Sequence, residues 1–504
     1  MNFYKNVIEH RGKLLVRGIH DGQEYKEKID FGPTLYALTQ EHSVYKTLQG
    51  QNLKPIEFTD IMAARKFRKE VATANSPIYG LERYHYQYIG QEHPEDIEWD
   101  KDLIKIFTLD IETTCENGFP DVENPIEEII CLTVKNQSNK SIITWGVGNY
   151  HTDRTDVTYV KCKNEKELMF EFMKFWIKNH PDIITGWNTK FFDLPYLINR
   201  IKLVAGEKVA NRISPWNLIN RMEINVQGRT QTVYDVYGIA MLDYLDLYKW
   251  FIPQRQESYK LDFIGELELG KNKNENPFDT FKDFYTKDFQ KFVDYNIQDV
   301  EIVDGLEDKL GLIELSLTVA YESKVNYDDI FSQVRVWDTL IANHLMQKNI
   351  AVPPREENSK ETKYEGAYVK EPILGGHDWI VSFDINSLYP HIIIQYNISP
   401  EKILGESSHG VNVNKMIDMK VPLNYLKTEG ACLTPNGAKF RNDSQGFLPE
   451  MMEKMYNERV VFKKRMIKAK KEYEKTKDPK LVKEIARCHN IQWSKKIALN
   501  SAYG

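Results

Sequence analysis

The sequence predicts an α/β protein made of several domains. Its 504 residues are more than one domain usually holds, and a hydrophobic content of 41% is enough to bury large cores. Apolar runs with the two-residue period of a strand alternate with segments that have the period of an amphipathic helix. We divide the chain into an N-terminal α/β domain, to which residues 313–355 return, and three later domains, with ranges 1–103, 104–312, 356–446 and 447–504.

The composition indicates where the protein works. No apolar run approaches the ~20 residues of a membrane span, and the N-terminus lacks the apolar core of a signal peptide. Five cysteines without a CxxC pair favour a reducing compartment and argue against a zinc site. We therefore expect a cytoplasmic protein.

The charge is unevenly distributed along the chain. The formal net charge is −6, yet residues 451–504 carry 15 Lys or Arg against 6 Asp or Glu. A basic end on an acidic body favours a phosphate-binding element beside carboxylate metal sites. A solvated, lysine-rich helix would give the same distribution.

The first pair of candidate acids lies in the strand-like run "LIKIFTLDIETTCENGFP". A two-residue period places Asp110 and Glu112 side by side on one face, at the end of the strand. Two carboxylates this close repel each other unless a cation lies between them. Most DxE pairs are not metal sites, so the interpretation depends on the acids that follow.

Two later segments carry further acids. Asp193 lies near the start of a helix in "TGWNTKFFDLPYLINRI", where it is either a metal ligand or the N-cap of that helix. Tyr295 and Asp299 lie four residues apart, on one face of the helix "FQKFVDYNIQDVEIVDGLEDKL". Four carboxylates at one sheet edge can hold two divalent metals for phosphodiester cleavage. The Tyr295 hydroxyl would then orient the attacking water.

A separate candidate site lies in "WIVSFDINSLYP". This stretch predicts a buried strand, Ile380 to Phe383, that breaks into a turn directly after Asp384. Acids at strand ends that face a cleft hold magnesium in many phosphoryl-transfer enzymes. The alternative is an aspartate that caps the next helix.

The C-terminal part of the chain predicts two antiparallel helices, from Pro449 to about Lys475 and from about Leu481 onward. Each helix presents a stripe of cationic and polar side chains, which are Arg459 and Lys463 on the first and Lys496, Asn500 and Tyr503 on the second. Two such stripes can grip a triphosphate, with Tyr503 beside a base. The alternative is a helical hairpin whose lysines only face solvent.

The order of these motifs resembles the family B DNA polymerases, and most closely those of T-even-type bacteriophages. "LDIET", "TGWNTKFFDLPY" and "YNIQDV" are similar to the three motifs of the family's 3′–5′ proofreading exonuclease, which has a ribonuclease-H-like fold. The resemblance implies an exonuclease domain at 104–312, with Asp110, Glu112, Asp193 and Asp299 as metal-binding acids and Tyr295 as the water-positioning tyrosine. The segment around Gly228 predicts a β-hairpin, similar to one that helps separate primer from template.

The polymerase motifs of the family have counterparts further along the chain. "YEGAYV" resembles the element between the two modules, "DINSLYP" the first polymerase motif, and "KKIALNSAYG" the fingers motif. These similarities imply a partial palm at 356–446 and two fingers helices at 447–504. Asp384 would hold catalytic magnesium ions, and Tyr389 would be the steric gate beneath the deoxyribose. The implied triphosphate and nascent-pair contacts are Ser387, Leu388, Arg459, Lys463, Lys496, Asn500 and Tyr503.

One motif of the family is missing. The palm string YxDTD, which supplies a second metal-binding aspartate, does not occur in this sequence, and the family's thumb and clamp-binding tail would follow Gly504. We therefore expect proofreading and the nucleotide-binding half of synthesis here. Template-directed synthesis would require a C-terminal polymerase chain with the rest of the palm, the thumb and the clamp-binding tail.

The resemblance also implies cofactors and partners. Mg²⁺ would occupy two-metal sites, with Mn²⁺ as a substitute, and the partners would be primer-template DNA, single-stranded 3′ ends and dNTPs. If a phage encodes the chain, its location is the cytoplasm of the host cell. Two alternatives remain, which are a stand-alone magnesium-dependent 3′–5′ exonuclease and a non-catalytic nucleic-acid binder.

Overall fold

A computed structural model describes residues 1–73, 76–226, 228–270, 276–355, 371–406, 410–412, 414–415, 418–421 and 430–502. Contacts along the chain group into two compact units. The first unit contains residues 1–33, 59–62 and 83–339, and the second contains 34–58, 63–82 and 340–504. The four-domain division at residues 103, 312 and 446 stays a prediction.

The first unit begins with an antiparallel sheet of three strands, β1 (Phe3–His10), β2 (Lys13–His20) and β3 (Gln23–Ile29). Both connections are tight because Gly12 and Gly22, like the residue before each, have the positive φ that two-residue hairpin turns require. Residues near position 325 contact this sheet. The Val7 N–H donates to Asn326 Oδ1 at 2.9 Å, and the Tyr4 hydroxyl donates to the Val325 carbonyl at 2.6 Å.

The central sheet of the first unit has six strands in the order β10-β9-β8-β7-β11-β14. Strand β7 pairs antiparallel with β8 and parallel with β11, so the acid-bearing strand is central in a mixed sheet. The strands are β7 (Ile106–Thr113), β8 (Ile129–Asn136), β9 (Ile142–Gly146), β10 (Val157–Lys161), β11 (Ile183–Thr185) and β14 (Ala240–Met241).

Helices cover both faces of this sheet. On one face, Phe107, Leu109 and Ile111 of β7 form a buried cluster with side chains of α3 (Glu165–Asn179) and α4 (Asp193–Ala205). On the other face, strand residues such as Cys131 pack against α8 (Phe281–Lys287) and α9 (Phe289–Leu310). Successive residues of β7 face opposite sides of the sheet. Its apolar odd-numbered residues therefore face α3 and α4, and its even-numbered residues, including both acids, face α9.

The predicted hairpin around Gly228 is confirmed. Strands β12 (Ile219–Val226) and β13 (Arg229–Val236) pair antiparallel from end to end, and Gly228 has a φ of +83°. The other helices that begin in the first unit are α2 (Tyr84–Glu92), α5 (Glu207–Ala210), α6 (Tyr244–Phe251), α7 (Leu261–Leu269) and α10 (Leu312–Ser323). Helices α1 (Ile61–Thr73) and α11 (Gln333–Met346) contribute residues to both units.

The described residues of the second unit include two small sheets and three further helices. One sheet has the order β5-β4-β6, with β4 (Thr34–Leu38), β5 (Leu53–Glu57) and β6 (Ile78–Tyr79). The other has the order β15-β17-β16, with β15 (Ile403–Glu406), β16 (Ala431–Leu433) and β17 (Ala438–Arg441). Helix α12 (Leu388–Gln395) begins directly after Ser387.

The predicted helical hairpin is confirmed as α13 (Phe447–Thr476) and α14 (Pro479–Ser501). The break falls at Lys477, which has a left-handed φ of +54°, and at Asp478, whose side chain caps α14 before Pro479. Ion pairs between described residues join the helices, among them Glu458 to Lys495 at 2.8 Å and Arg465 to Glu484 at 2.6 Å. These ion pairs fix which residues of α13 lie beside which residues of α14.

The predicted strand from Ile380 to Phe383 is wrong. Residues 371–385 form neither helix nor strand, and the Trp379 and Phe383 side chains are 98% and 89% exposed. Among the described residues no strand pairs with this segment. An extended segment without a hydrogen-bonded neighbour or a covering layer gains nothing over hydration, so its apolar pattern alone does not make it a strand. Asp384 therefore lies on exposed backbone and not at the end of a buried strand.

In the part of the chain that the structure describes, no helix has the length and apolarity needed to cross a membrane.

Candidate active site

Three predicted acids lie together in the first unit. Asp110 and Glu112 of β7 and Asp299 of α9 each offer a carboxylate oxygen, and these oxygens all lie within 4.8 Å of one another. The strand supplies two of them because residues i and i+2 share a face. Helix α9 supplies the third because it packs across that same face of the sheet. The acids are thus brought together by two elements almost 190 residues apart in the chain.

Apolar packing positions α9 over the acids. Its first turn is capped by Asp288, whose side chain accepts from the Lys291 N–H at 3.1 Å. Phe292 and Ile297 are buried against the sheet, which fixes the rotation of the helix. Tyr295 lies one turn before Asp299, and its ring packs edge-on against Phe284 with centroids 5.7 Å apart. The spacing that the sequence predicts for this tyrosine and this acid is therefore realised on one helix.

The acid group creates a strongly negative environment. Burial raises the pKa of the nearby Cys131 thiol well above its usual value, and the charges of Glu112 and Asp110 raise it further. Three carboxylates this close repel one another, and a bound cation removes that repulsion. An all-oxygen, anionic donor set suits hard divalent ions such as Mg²⁺ or Mn²⁺ and not zinc, which prefers nitrogen and sulfur ligands. The residues present therefore fit a divalent metal.

Asp193 is not part of this group of three in the structure. It is the first residue of α4, is 4% exposed, and accepts a hydrogen bond from the Ile111 N–H at 3.2 Å. Burial raises its pKa to about 7, and the charge of Asp243 adds to the increase. The N-cap of α4 is Phe192, so the alternative of Asp193 as N-cap is wrong. Because Ile111 lies between the two strand acids, Asp193 is adjacent to the site, and its role as a ligand stays a prediction.

Two buried polar residues of this region were missed by sequence reasoning. Asp243 accepts from the backbone N–H groups of Asn188 at 3.1 Å and Lys190 at 2.9 Å, and it caps α6 through Leu245. It thereby holds the loop that leads to Asp193. An acid just before the amphipathic run "YLDLYKWF" is an N-cap signal that could have identified it. The second missed residue is Asn296, whose amide contacts Asp110.

In the second unit the structure brings together residues of two predicted polymerase motifs. The Arg459 guanidinium of α13 donates to the Ser387 hydroxyl at 3.3 Å. Ser387 has a left-handed φ of +53° and directly precedes α12, whose first residues are Leu388 and Tyr389. A helix N-terminus beside a guanidinium is a favourable place for a phosphate. Asp384 is exposed three residues earlier in the chain.

The structure brings together only some of the predicted cationic and polar residues of α13 and α14. The ion pair between Glu458 and Lys495 places the neighbouring Arg459 and Lys496 at about the same level of the two helices. The Lys496 ammonium lies 4.3 Å from the centre of the Trp493 ring. Lys463 and Asn500 are exposed farther along their helices. Tyr503 lies outside the described residues, as does the "YEGAYV" segment.

Comparison with protein families gives two matches. The model "DNA polymerase family B, exonuclease domain" matches residues 51–264, and the model "DNA polymerase family B" matches residues 329–504. Asp110, Glu112 and Asp193 fall within the first match, and the polymerase-motif residues fall within the second. Tyr295 and Asp299 lie between the two matches, so their place at the site depends on the structure.

Curated proteins resemble the chain over nearly its whole length. A DNA-directed DNA polymerase of Escherichia phage RB69 is 30% identical over 94% of this chain and 55% of its own length. A DNA-directed DNA polymerase of Enterobacteria phage T4 is 29% identical over 92% and 54%, and a DNA polymerase delta catalytic subunit of Candida albicans is 26% identical over 82% and 39%. The chain thus spans about half the length of the two phage relatives. The two family matches together cover most of the chain, and the chain therefore belongs to family B of the DNA polymerases.

Proposed function

We propose that this chain is a family B DNA polymerase polypeptide whose 3′–5′ exonuclease site lies in its first unit. The observation that carries the proposal is the group of three carboxylates, Asp110, Glu112 and Asp299, within 4.8 Å. Each acid belongs to a segment that the sequence assigns to an exonuclease motif. The substrates are single-stranded 3′ ends of DNA, and the exonuclease-domain match over residues 51–264 supports this assignment.

The site residues divide the work of phosphodiester hydrolysis between them. Asp110, Glu112 and Asp299 would hold divalent cations, with Mg²⁺ as the expected ion, and we assign Asp193 to the same ligand set. When bound, the cations stabilise the charge on the attacking and leaving oxygens of the phosphodiester. The neutral Tyr295 hydroxyl orients the attacking water with a hydrogen bond. Helix α9 holds that hydroxyl and Asp299 on one face, so water and metal ligands keep a fixed relation.

The second unit supplies part of the polymerase site in this proposal. The N-terminus of α12 with Ser387 and Leu388, the Arg459 guanidinium and the Lys496 ammonium bind the triphosphate of a dNTP. Lys463, Asn500 and Tyr503 complete the nucleotide contacts, and Tyr389 excludes ribonucleotides. Asp384 would hold magnesium. Since the sequence contains no YxDTD string, synthesis in this proposal requires a complementary chain that carries YxDTD and the thumb.

A second candidate function is exonuclease activity without synthesis. It is favoured by one specific observation, which is that the three clustered acids belong entirely to the first unit, whereas Asp384 lacks the YxDTD partner within this sequence. A non-catalytic binding role is disfavoured, because binding DNA does not need three carboxylates held close together.

The proposed exonuclease function is tested with 5′-labelled single-stranded DNA and Mg²⁺. We expect products that shorten one nucleotide at a time from the 3′ end. Replacing Tyr295 by phenylalanine should lower this rate by about 10²-fold, because the water loses its orienting hydroxyl while the metal ligands remain.

The matched control is Tyr150→Phe. The Tyr150 hydroxyl also contacts α9, where it donates to Asp294 at 2.8 Å, but Asp294 is not one of the three acids. This variant should keep nearly the wild-type rate. Digestion that starts at 5′ ends would contradict the proposed exonuclease function. Equal rates for the two variants would contradict the proposed role of Tyr295.

A further inference from the structure

Asn296 makes a buried hydrogen bond to one of the clustered acids. It follows Tyr295 in α9, is completely buried, and its side-chain Nδ2 donates to Asp110 Oδ2 at 2.5 Å. One of the two Asp110 oxygens is thus occupied by a neutral donor from the protein. The hydrogen bond fixes the plane of the carboxylate and directs its other oxygen.

At its other end the Asn296 amide accepts a hydrogen bond from Thr133, which in turn contacts Thr144, and a second one from the Cys131 thiol at 3.5 Å. The Thr133 hydroxyl of β8 donates to Asn296 Oδ1, and the Thr133 and Thr144 hydroxyl oxygens lie 2.8 Å apart. Both threonines are completely buried. A hydroxyl has one proton, so when Thr133 donates to Asn296, Thr144 must donate to Thr133. The hydrogen bonds then all run in one direction, from β9 through β8 and α9 to Asp110.

This direction determines how the Asn296 amide is oriented. With the opposite orientation, Oδ1 would face the Asp110 carboxylate, and two acceptors would oppose each other in a buried place. The observed orientation satisfies the Asn296 donor and acceptor and leaves no such conflict. Thr133 therefore helps to orient the Asn296 amide, and the amide orients the Asp110 carboxylate.

The series of hydrogen bonds from Thr144 through Thr133 and Asn296 to Asp110 is donated only by uncharged side chains. A lysine or arginine at the place of Asn296 would hold Asp110 as firmly, but it would cancel the negative charge that attracts a cation. A neutral amide positions the carboxylate and leaves its charge available. These buried polar side chains are tolerated beside the apolar packing of α9 because each of them is hydrogen-bonded.

We propose that Thr144, Thr133 and Asn296 form a positioning chain that fixes the Asp110 carboxylate and thereby sets the divalent-cation affinity of the site. The inference rests on the proposed metal site and goes beyond it. None of the three residues touches metal or substrate, so they are positioning residues. Outer partners of metal ligands typically change metal affinity by about 10- to 100-fold when they are removed.

The test is direct Mn²⁺ binding, measured by the loss of the free-ion electron paramagnetic resonance signal on titration of the full chain. Thr133→Val keeps the shape of the side chain and removes the hydroxyl, and Asn296→Leu removes the amide. We expect each variant to bind Mn²⁺ about 10- to 100-fold more weakly at this site. The Mg²⁺ concentration for half-maximal exonuclease rate should rise by a similar factor.

Thr133→Ser separates positioning from packing. It retains the hydroxyl and loses a methyl group, so we expect wild-type Mn²⁺ affinity. Mn²⁺ binding by Thr133→Ser that is as weak as binding by Thr133→Val, or weaker, would show that packing matters and would overturn the inference. If thermal unfolding shows that Asn296→Leu does not fold, the comparison of Thr133→Val with Thr133→Ser still tests the inference. Wild-type affinity in Thr133→Val overturns the positioning chain alone, whereas absence of Mn²⁺ binding to the wild-type chain overturns the proposed metal site.

Discussion

Replacing Asp110 and Glu112 together by alanine is expected to lower the rate of 3′-end hydrolysis by at least about 10³-fold. The two acids supply two of the three clustered carboxylates, and without them Asp299 and the adjacent Asp193 leave too few ligands to hold a divalent cation tightly. Loss of metal assistance removes several kcal/mol of transition-state stabilisation, and each 1.36 kcal/mol corresponds to a factor of ten in rate. The measurement is single-turnover digestion of 5′-labelled single-stranded DNA at saturating Mg²⁺.

The chain contains its own matched control for this experiment. Residues 96–98 repeat the tripeptide Asp-Ile-Glu of residues 110–112, but Asp96 and Glu98 are exposed and lie outside any strand. Asp96→Ala with Glu98→Ala makes the same change in composition and charge, and it should leave the rate within about twofold of wild type because exposed substitutions of this kind perturb the fold little. If the two double variants were equally active, or lost activity equally, the assignment of Asp110 and Glu112 would be wrong.

Replacing Arg459 and Lys496 together by alanine is expected to weaken dNTP binding by at least about 10- to 100-fold. A hydrogen bond between charged partners contributes roughly 1.5–3 kcal/mol, and 1.4 kcal/mol corresponds to a factor of ten in affinity. Arg459 already lies beside Ser387 at the start of α12, and the cross-helix ion pair places Lys496 near the same level. The measurement is fluorescence anisotropy of a labelled deoxynucleoside triphosphate in the presence of Mg²⁺.

The control for this prediction removes the same charge from the same helices. Lys464 of α13 and Lys483 of α14 are exposed, and neither belongs to the predicted nucleotide contacts. Their double alanine variant should retain nearly wild-type affinity at physiological salt, because exposed charges contribute mainly screened, long-range attraction. Equal losses in the two double variants would mean that general positive charge binds the nucleotide, and the assigned contacts would then be wrong.

Local patterns predicted the parts of the site that one element contains. The period of two in β7 placed Asp110 and Glu112 on one face, and the spacing of four placed Tyr295 and Asp299 on one helix face. The C-terminal helical hairpin was also predictable, because Pro479 and the polar residues before it stop one helix and start another. In each case the information lies within a few turns or strand residues.

Relations between elements were not predictable from such patterns. Asn296 has the composition of any polar helical residue, and its importance depends on how α9 rests over β7 and β8. Asp193 was expected among the clustered acids, but its hydrogen bond to the Ile111 N–H depends on the path of the loop that Asp243 holds. The run before Asp384 has a strand-like pattern, yet a strand forms only where another strand pairs with it.

The central claim is that Asp110, Glu112 and Asp299 form a divalent-metal site. Its most direct test is anomalous diffraction from crystals of the chain soaked in Mn²⁺. We expect an anomalous peak within about 2–2.5 Å of carboxylate oxygens from all three residues. Manganese peaks that lie elsewhere on the chain, with no peak in contact with these three acids, would contradict it.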